Sequence, residues 1–198
     1  MYITPFKQET DFEYPLSIDS KIEIFEESTE GWQLYIAELC MNGGKDYKNK
    51  DIPPIDGSGF AVLQILLSYF EMIAKYECGF DKTGKSEEFF KNGVKSVFPK
   101  LSKNNNEDVN ILLKILYEDG RCGLYHGGLT ESRILLSGDP NYAMGFHTKS
   151  KVIIINPHKL PGVLKKHLKN YVKKLKNPKE VKLRKNFEKR FDWHRRNK

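Results

Sequence analysis

The sequence predicts a mainly α-helical domain that carries one small β-hairpin and ends in a basic helix. Three observations predict it. Apolar residues recur at three- and four-residue spacing in several separate stretches. The β-branched run "VIII" at 152–155 reads as a strand. From Val163 to Lys198 the chain holds 15 Lys or Arg against 3 Asp or Glu, which leaves 18 against 23 in the part before. At 198 residues the chain can bury one substantial core, and 39% apolar with 30% charged residues excludes a wholly disordered chain.

Taken in order, residues 1–16, with Pro5, Pro15 and scattered aromatics, read as an extended arm lying on the core. From Ser17 two readings stay open, one long helix or a strand followed by a helix, because Ile22 and Ile24 alternate while Ile18, Ile22 and Phe25 fit a helical stripe. Trp32, Tyr35, Ile36, Leu39 and Cys40 have helical spacing that closes at Asn42-Gly43-Gly44. The Gly, Pro and charge content of "GGKDYKNKDIPPIDGSG" marks a surface loop. "GFAVLQILLSYFEMIAKYECG" is apolar on nearly every face, as a helix at the centre of a core should be, and Cys78-Gly79 stops it. A polar connection follows around a short helix that tucks Phe89, Phe90 and Val94 inward. Asn106 then caps a helix with Val109, Leu112, Leu113 and Leu116 as its buried stripe, and Gly120 marks its end.

Beyond it, "AMGFHTKSKVIIINP" reads as a hairpin. Asn156-Pro157 and Pro161 start a helix with Leu164, Leu168, Tyr171 and Leu175 on one face. Asn177-Pro178, with Glu180 at the third helical position, opens the last one, in which Leu183, Phe187 and Phe191 recur every four residues among basic side chains. We therefore expect a helical domain over 1–176 with its N-terminal arm, and a basic C-terminal helix or tail over 177–198.

Cys40, Cys78 and Cys122 are odd in number and widely spaced, so they offer neither a disulfide framework nor a metal knuckle. The five histidines lack metal-ligand spacing, and no metal or other cofactor is expected. No apolar run approaches the length of a membrane span and the first residues lack a signal-peptide pattern, so a cytoplasmic protein without membrane contact is expected. The basic last fifth can attract a polyanion, nucleic acid first among them, or be a solvated face.

The stretch "EDGRCGLYHGG" at 118–128 sets Arg121 and His126 five positions apart among glycines. On one ideal α-helix they would lie about 140° apart. They converge only if Gly120 and Gly123 loosen the backbone or if a second copy of the chain supplies the partner group. A helical chain with an amphipathic helix leading into R-x4-H, here "RCGLYH", resembles the HEPN superfamily. The resemblance covers the helices from about Gly59 to Leu129, with Leu160 to Leu175 as a possible extension. It implies a HEPN-like helical bundle, a homodimer in which two motifs face one cleft, and a metal-independent RNase of the toxin and defence type, with an antitoxin or defence protein as partner. It also implies that Arg121 is the motif Arg and His126 the motif His. Glu71 would be the acidic residue that an earlier helix contributes, with Glu77 and Glu118 as alternatives. The residue after the Arg is commonly polar in the family, and here it is Cys122.

The residue chemistry agrees. Cleavage of RNA by its own 2′-hydroxyl needs a proton carrier near neutral pH and a fixed cation for the charge that builds on the phosphate, tasks suited to His and Arg. The bland reading pairs Arg121 with Glu118 or Asp119 and lets His126 cap a helix. Cys122 as a nucleophile beside His126 ranks below a buried thiol. Glu87-Glu88 reads as a solvated helix face. Arg184, Lys185, Arg190, Arg195 and Arg196, interleaved with Phe187, Phe191 and Trp193, could contact RNA, while the phenylalanines equally dock the last helix on the body. The rival to the endoribonuclease is a non-catalytic RNA-binding or protein-interaction module on the same fold.

Overall fold

The structure is a computed structural model that describes residues 1–103 and 106–196, the side chain of Arg196 excepted. The ambiguity after Ser17 ends in favour of one helix. The Ser17 hydroxyl accepts the Ser20 N–H at 3.0 Å, and α1 (Ile18–Thr29) passes through a π-helical stretch (Glu30–Tyr35) into α2 (Ile36–Asn42) without a break. Gly43, at φ 66°, ends it in a conformation that favours glycine. The N-terminal arm lies on this helix, where the Ser28 hydroxyl donates to the Ile3 carbonyl at 3.0 Å and Thr4 is fully buried, but it is not extended: Tyr2 pairs with Gln8 and a helical turn follows at Glu9–Asp11. The loop that follows contains one two-residue hairpin, β1 (Gly44–Lys45) with β2 (Asp51–Ile52).

The 20-residue α3 (Gly59–Cys78) is the apolar helix of the sequence, and it buries Val62, Leu63, Leu66, Leu67, Tyr69, Phe70 and Ile73. Gly79, at φ 78°, stops it. Against it packs α4 (Ser86–Val97), so closely at Gly93 that a Cβ there would stand 1.8 Å from the Phe70 carbonyl oxygen. The short α5 (Pro99–Lys103) follows. Next comes α6 (Glu107–Ile115), capped by the Asn106 side chain, which accepts the Val109 N–H at 3.0 Å.

Gly120 does not end this helix. The chain continues through a second π-helical stretch (Leu116–Cys122) into α7 (Gly123–Gly127), and only Gly128, at φ 74°, stops it. Hydrogen bonding accounts for the wide turn. The Gly123 N–H bonds to the Glu118 and Gly120 carbonyls, while the Asp119 carbonyl accepts the Glu131 N–H from outside the helix at 3.0 Å. Gly123 is needed there, since a Cβ would lie 2.9 Å from the Leu129 carbonyl oxygen.

The predicted hairpin is β4 (Met144–His147) antiparallel to β5 (Val152–Ile155). A third strand, β3 (Ile134–Leu136), pairs parallel with β5 and aligns Ile134 with Ile153. Three residues are too few to display a period of two, so the sequence did not announce it. The helix α8 (Leu160–Leu175) buries Leu164, Leu168, Tyr171 and Leu175 as its spacing predicts. The last helix, α9, runs Val181–Arg196. It starts later than Asn177-Pro178 suggests, because the Glu180 N–H closes a turn onto the Asn177 carbonyl and Glu180 precedes the helix.

Phe187 and Phe191 of α9 are buried in the same apolar cluster as α1, α3 and α8. Full burial of a side chain of this size contributes about 2–3 kcal/mol. Between α3, α4 and α8 a polar chain crosses the packing. The Tyr69 hydroxyl meets His167 Nδ1 at 2.9 Å, His167 Nε2 meets Ser96 Oγ at 3.1 Å, and Ser96 donates to Glu77 at 2.6 Å. Among the described residues no helix is long and apolar enough to cross a membrane.

Candidate functional site

The π-helical turn and α7 carry the motif across the face of α3. Arg121 Nη2 meets Glu71 Oε2 at 3.2 Å. Its guanidinium lies 5.1 Å from the centre of the Tyr125 ring and 5.9 Å from that of Tyr117, a geometry that fixes its plane. Glu71 is thus the carboxylate that tertiary packing brings to the motif Arg. The two alternatives go elsewhere: Glu77 accepts from Ser96, and Glu118 lies 3.8 Å from Lys114. Asp119, which the bland reading offered to Arg121, is buried and paired with Arg133, whose Nε donates to it at 2.6 Å. Burial acts to raise the Glu71 pKa, but the Lys75 ammonium at 2.9 Å, the Ser86 hydroxyl at 3.0 Å and Arg121 together hold it below the usual carboxylate range. Glu71 is therefore an anion that orients Arg121.

His126 is exposed, and its ring stands edge-on to Tyr125 with centres 5.1 Å apart. Among the described residues it has no hydrogen bond or ion pair, so it neither caps a helix nor bonds a carbonyl. Tyr125 is the link between the two motif side chains, within about 5 Å of each. Cys122 is half-buried and reduced.

Arg121 and Tyr125 line a cavity of about 600 Å³ whose other walls include Glu71 and Lys75 of α3 and Arg190 and His194 of α9. His126 is not among its lining residues. A larger cavity of about 750 Å³ lies at α1, where Asp19, Glu23, Glu26, Glu27 and Glu30 would repel a polyanion. The cationic cavity is the candidate site, although it is the smaller.

The basic residues of α9 do not form one free surface. Arg190 is buried at 8% exposure. Arg184 donates to the Leu175 carbonyl and so closes the end of α8. The Arg195 guanidinium lies 5.7 Å from the Phe191 ring. Lys185 is exposed, and the side chain of Arg196 lies outside the described residues. The sequence reading missed Lys75 and His194 altogether and offered Arg190 as an RNA contact of the basic helix without its burial. Its spacing from Phe187 and Phe191, three before and one after, puts it on the inward side of α9, which is the signal that could have found it. Among the described residues no group of three or more His, Cys, Asp or Glu gathers as a metal site would require. No protein-family model, characterised protein or solved structure matches this chain, so its chemistry is argued from its own residues.

Proposed function

We propose that the protein is a metal-independent endoribonuclease of the HEPN type. The observation that carries this reading is the pairing of Arg121 with Glu71 in the wall of a cationic cavity, with His126 exposed one residue beyond the Tyr125 ring that both motif side chains contact. In the reaction the 2′-hydroxyl oxygen attacks phosphorus as a base takes its proton. The bond from phosphorus to the 5′-oxygen then breaks and that oxygen receives a proton. The products are a 2′,3′-cyclic phosphate and a 5′-hydroxyl. His126 is exposed and suited to moving one of these protons, and Arg121, held in position by Glu71 and two aromatic rings, faces the charge that builds on the non-bridging oxygens. The second proton transfer falls to His126 of a second copy in a homodimer. Action in a toxin or defence system, with an antitoxin-like partner, extends the same reading.

One observation favours a second reading, an RNA-binding module without catalysis: His126 does not line the cavity that holds Arg121. Incubating the protein with structured RNA in EDTA and mapping the new ends separates the two. The expected result is cyclic phosphate ends with wild type and a loss of at least about a hundredfold in rate with His126→Ala or Arg121→Ala. RNA that stays intact, or that His126→Ala cleaves as well as wild type, removes the endoribonuclease and leaves the binding module.

A further inference from the structure

The charges around the cavity do not balance. Lys75 bridges two carboxylates, Glu71 at 2.9 Å and Asp81 at 3.1 Å. Arg121 reaches Glu71 at 3.2 Å, and Arg190 reaches Asp81 at 3.3 Å. Three cations therefore share two anions, and the linked set keeps one uncompensated positive charge. The excess falls on the side of Arg190. That guanidinium is more than nine-tenths buried, it lines the cavity, and its Nε and Nη1 have no hydrogen-bond partner among the described residues. Among the described residues its one ion pair uses Nη2. It lies 4.5 Å from the centre of the Trp193 ring and 6.0 Å from that of Tyr76. A buried guanidinium with donors left over costs free energy unless an anion arrives to take them.

We propose that this cavity is a phosphate site, in which Arg190 of α9 and Arg121 of the motif helix grip the non-bridging oxygens of one phosphate of an RNA strand. Two planar, fork-shaped donors approaching from different helices are the geometry that phosphate recognition uses, and one net positive charge matches one phosphodiester. Glu71 and Asp81 keep the two guanidinium groups in place, and Lys75 ties the two carboxylates together. The site unites the R-x4-H helix with the basic end of the chain and so gives α9 a part in binding besides packing. The RNA assignment rests on the function proposed above, whereas the phosphate assignment stands on the cavity alone.

The test titrates inorganic phosphate into the full chain carrying Trp32→Phe, which leaves Trp193 beside Arg190 as the one tryptophan of the two in the sequence. The expected result is a saturable change in emission that chloride at equal ionic strength does not produce. Arg190→Lys and Arg121→Lys, each keeping the charge but losing the fork, should weaken binding about tenfold or more, while Lys149→Ala in the hairpin turn leaves it unchanged. A 2′-O-methylated RNA, which cannot be cleaved, should compete with phosphate for the site. No saturable change overturns the proposal, as does undiminished affinity in variants whose circular dichroism is that of wild type; if Arg190→Lys does not fold, the more exposed Arg121→Lys decides. Arginine-dependent phosphate binding without competition by the methylated RNA overturns the RNA assignment and leaves a site for free phosphate. Competition by methylated RNA together with no cleavage of unmodified RNA sinks the endoribonuclease and not this site.

Discussion

His167 has its charge state decided by its neighbours. Ser96, whose own proton goes to Glu77, is left to accept from Nε2, so a neutral imidazole carries its proton there and accepts the Tyr69 hydroxyl at Nδ1. Burial, assisted by the nearby Lys174 charge, pushes its pKa down to about 4. The unfolded chain binds this proton near pH 6.5, so stability is present above that value and is lost as pH falls toward 4. Glu77, whose pKa burial raises, takes up a proton in the folded state and partly offsets the loss. Urea unfolding across this range should show wild type losing on the order of 2 kcal/mol more than His167→Gln. Equal slopes would mean that His167 is not neutral in the fold. The same dependence on neighbours governs Arg121: nothing local distinguishes Glu118, Asp119 and Glu71 as its partner, and the choice falls to the residue 50 positions away because α3 packs beside the motif helix.

Among the elements, α3 and α4 meet with a glycine at their closest point. Gly93→Ala places a Cβ 1.8 Å from the Phe70 carbonyl oxygen, against backbone that cannot yield. It should cost about 3 kcal/mol or more in urea unfolding, whereas Gly162→Ala on α8, with nothing within 4 Å of the added carbon, should be neutral or stabilise by up to about 1 kcal/mol. Similar stability of the two variants would refute this packing. Helix spans were legible here because apolar spacing is local. The two π-helical turns were not, since the second arises where the Asp119 carbonyl is drawn off by the Glu131 N–H across a bend in the chain. Hence Gly120, a stop signal by composition, sits buried inside a continuing helix.

At the scale of the molecule, α9 completes the core and also closes the cationic cavity. Phe187 is fully buried with its ring 5.5 Å from both Phe25 and Tyr76, so Phe187→Ala should destabilise the whole chain by about 3–5 kcal/mol, seen as one cooperative shift in thermal unfolding. A separate early transition would instead make α9 an independent appendage. The charge asymmetry read from the sequence is real, yet its basic end is divided among helix capping, a buried guanidinium and exposed lysines. By itself the sequence determined the helical class, most helix spans, the hairpin, the capping of α6 and the R-x4-H motif, because each is written in residues within a few turns of one another. Tertiary structure alone decided that Glu71 holds Arg121, that β3 joins β5, and that Arg190 is buried against Asp81 in a set of three cations that share two carboxylates. Each of these depends on segments far apart in the chain, and only the closing of the core brings them within hydrogen-bonding distance.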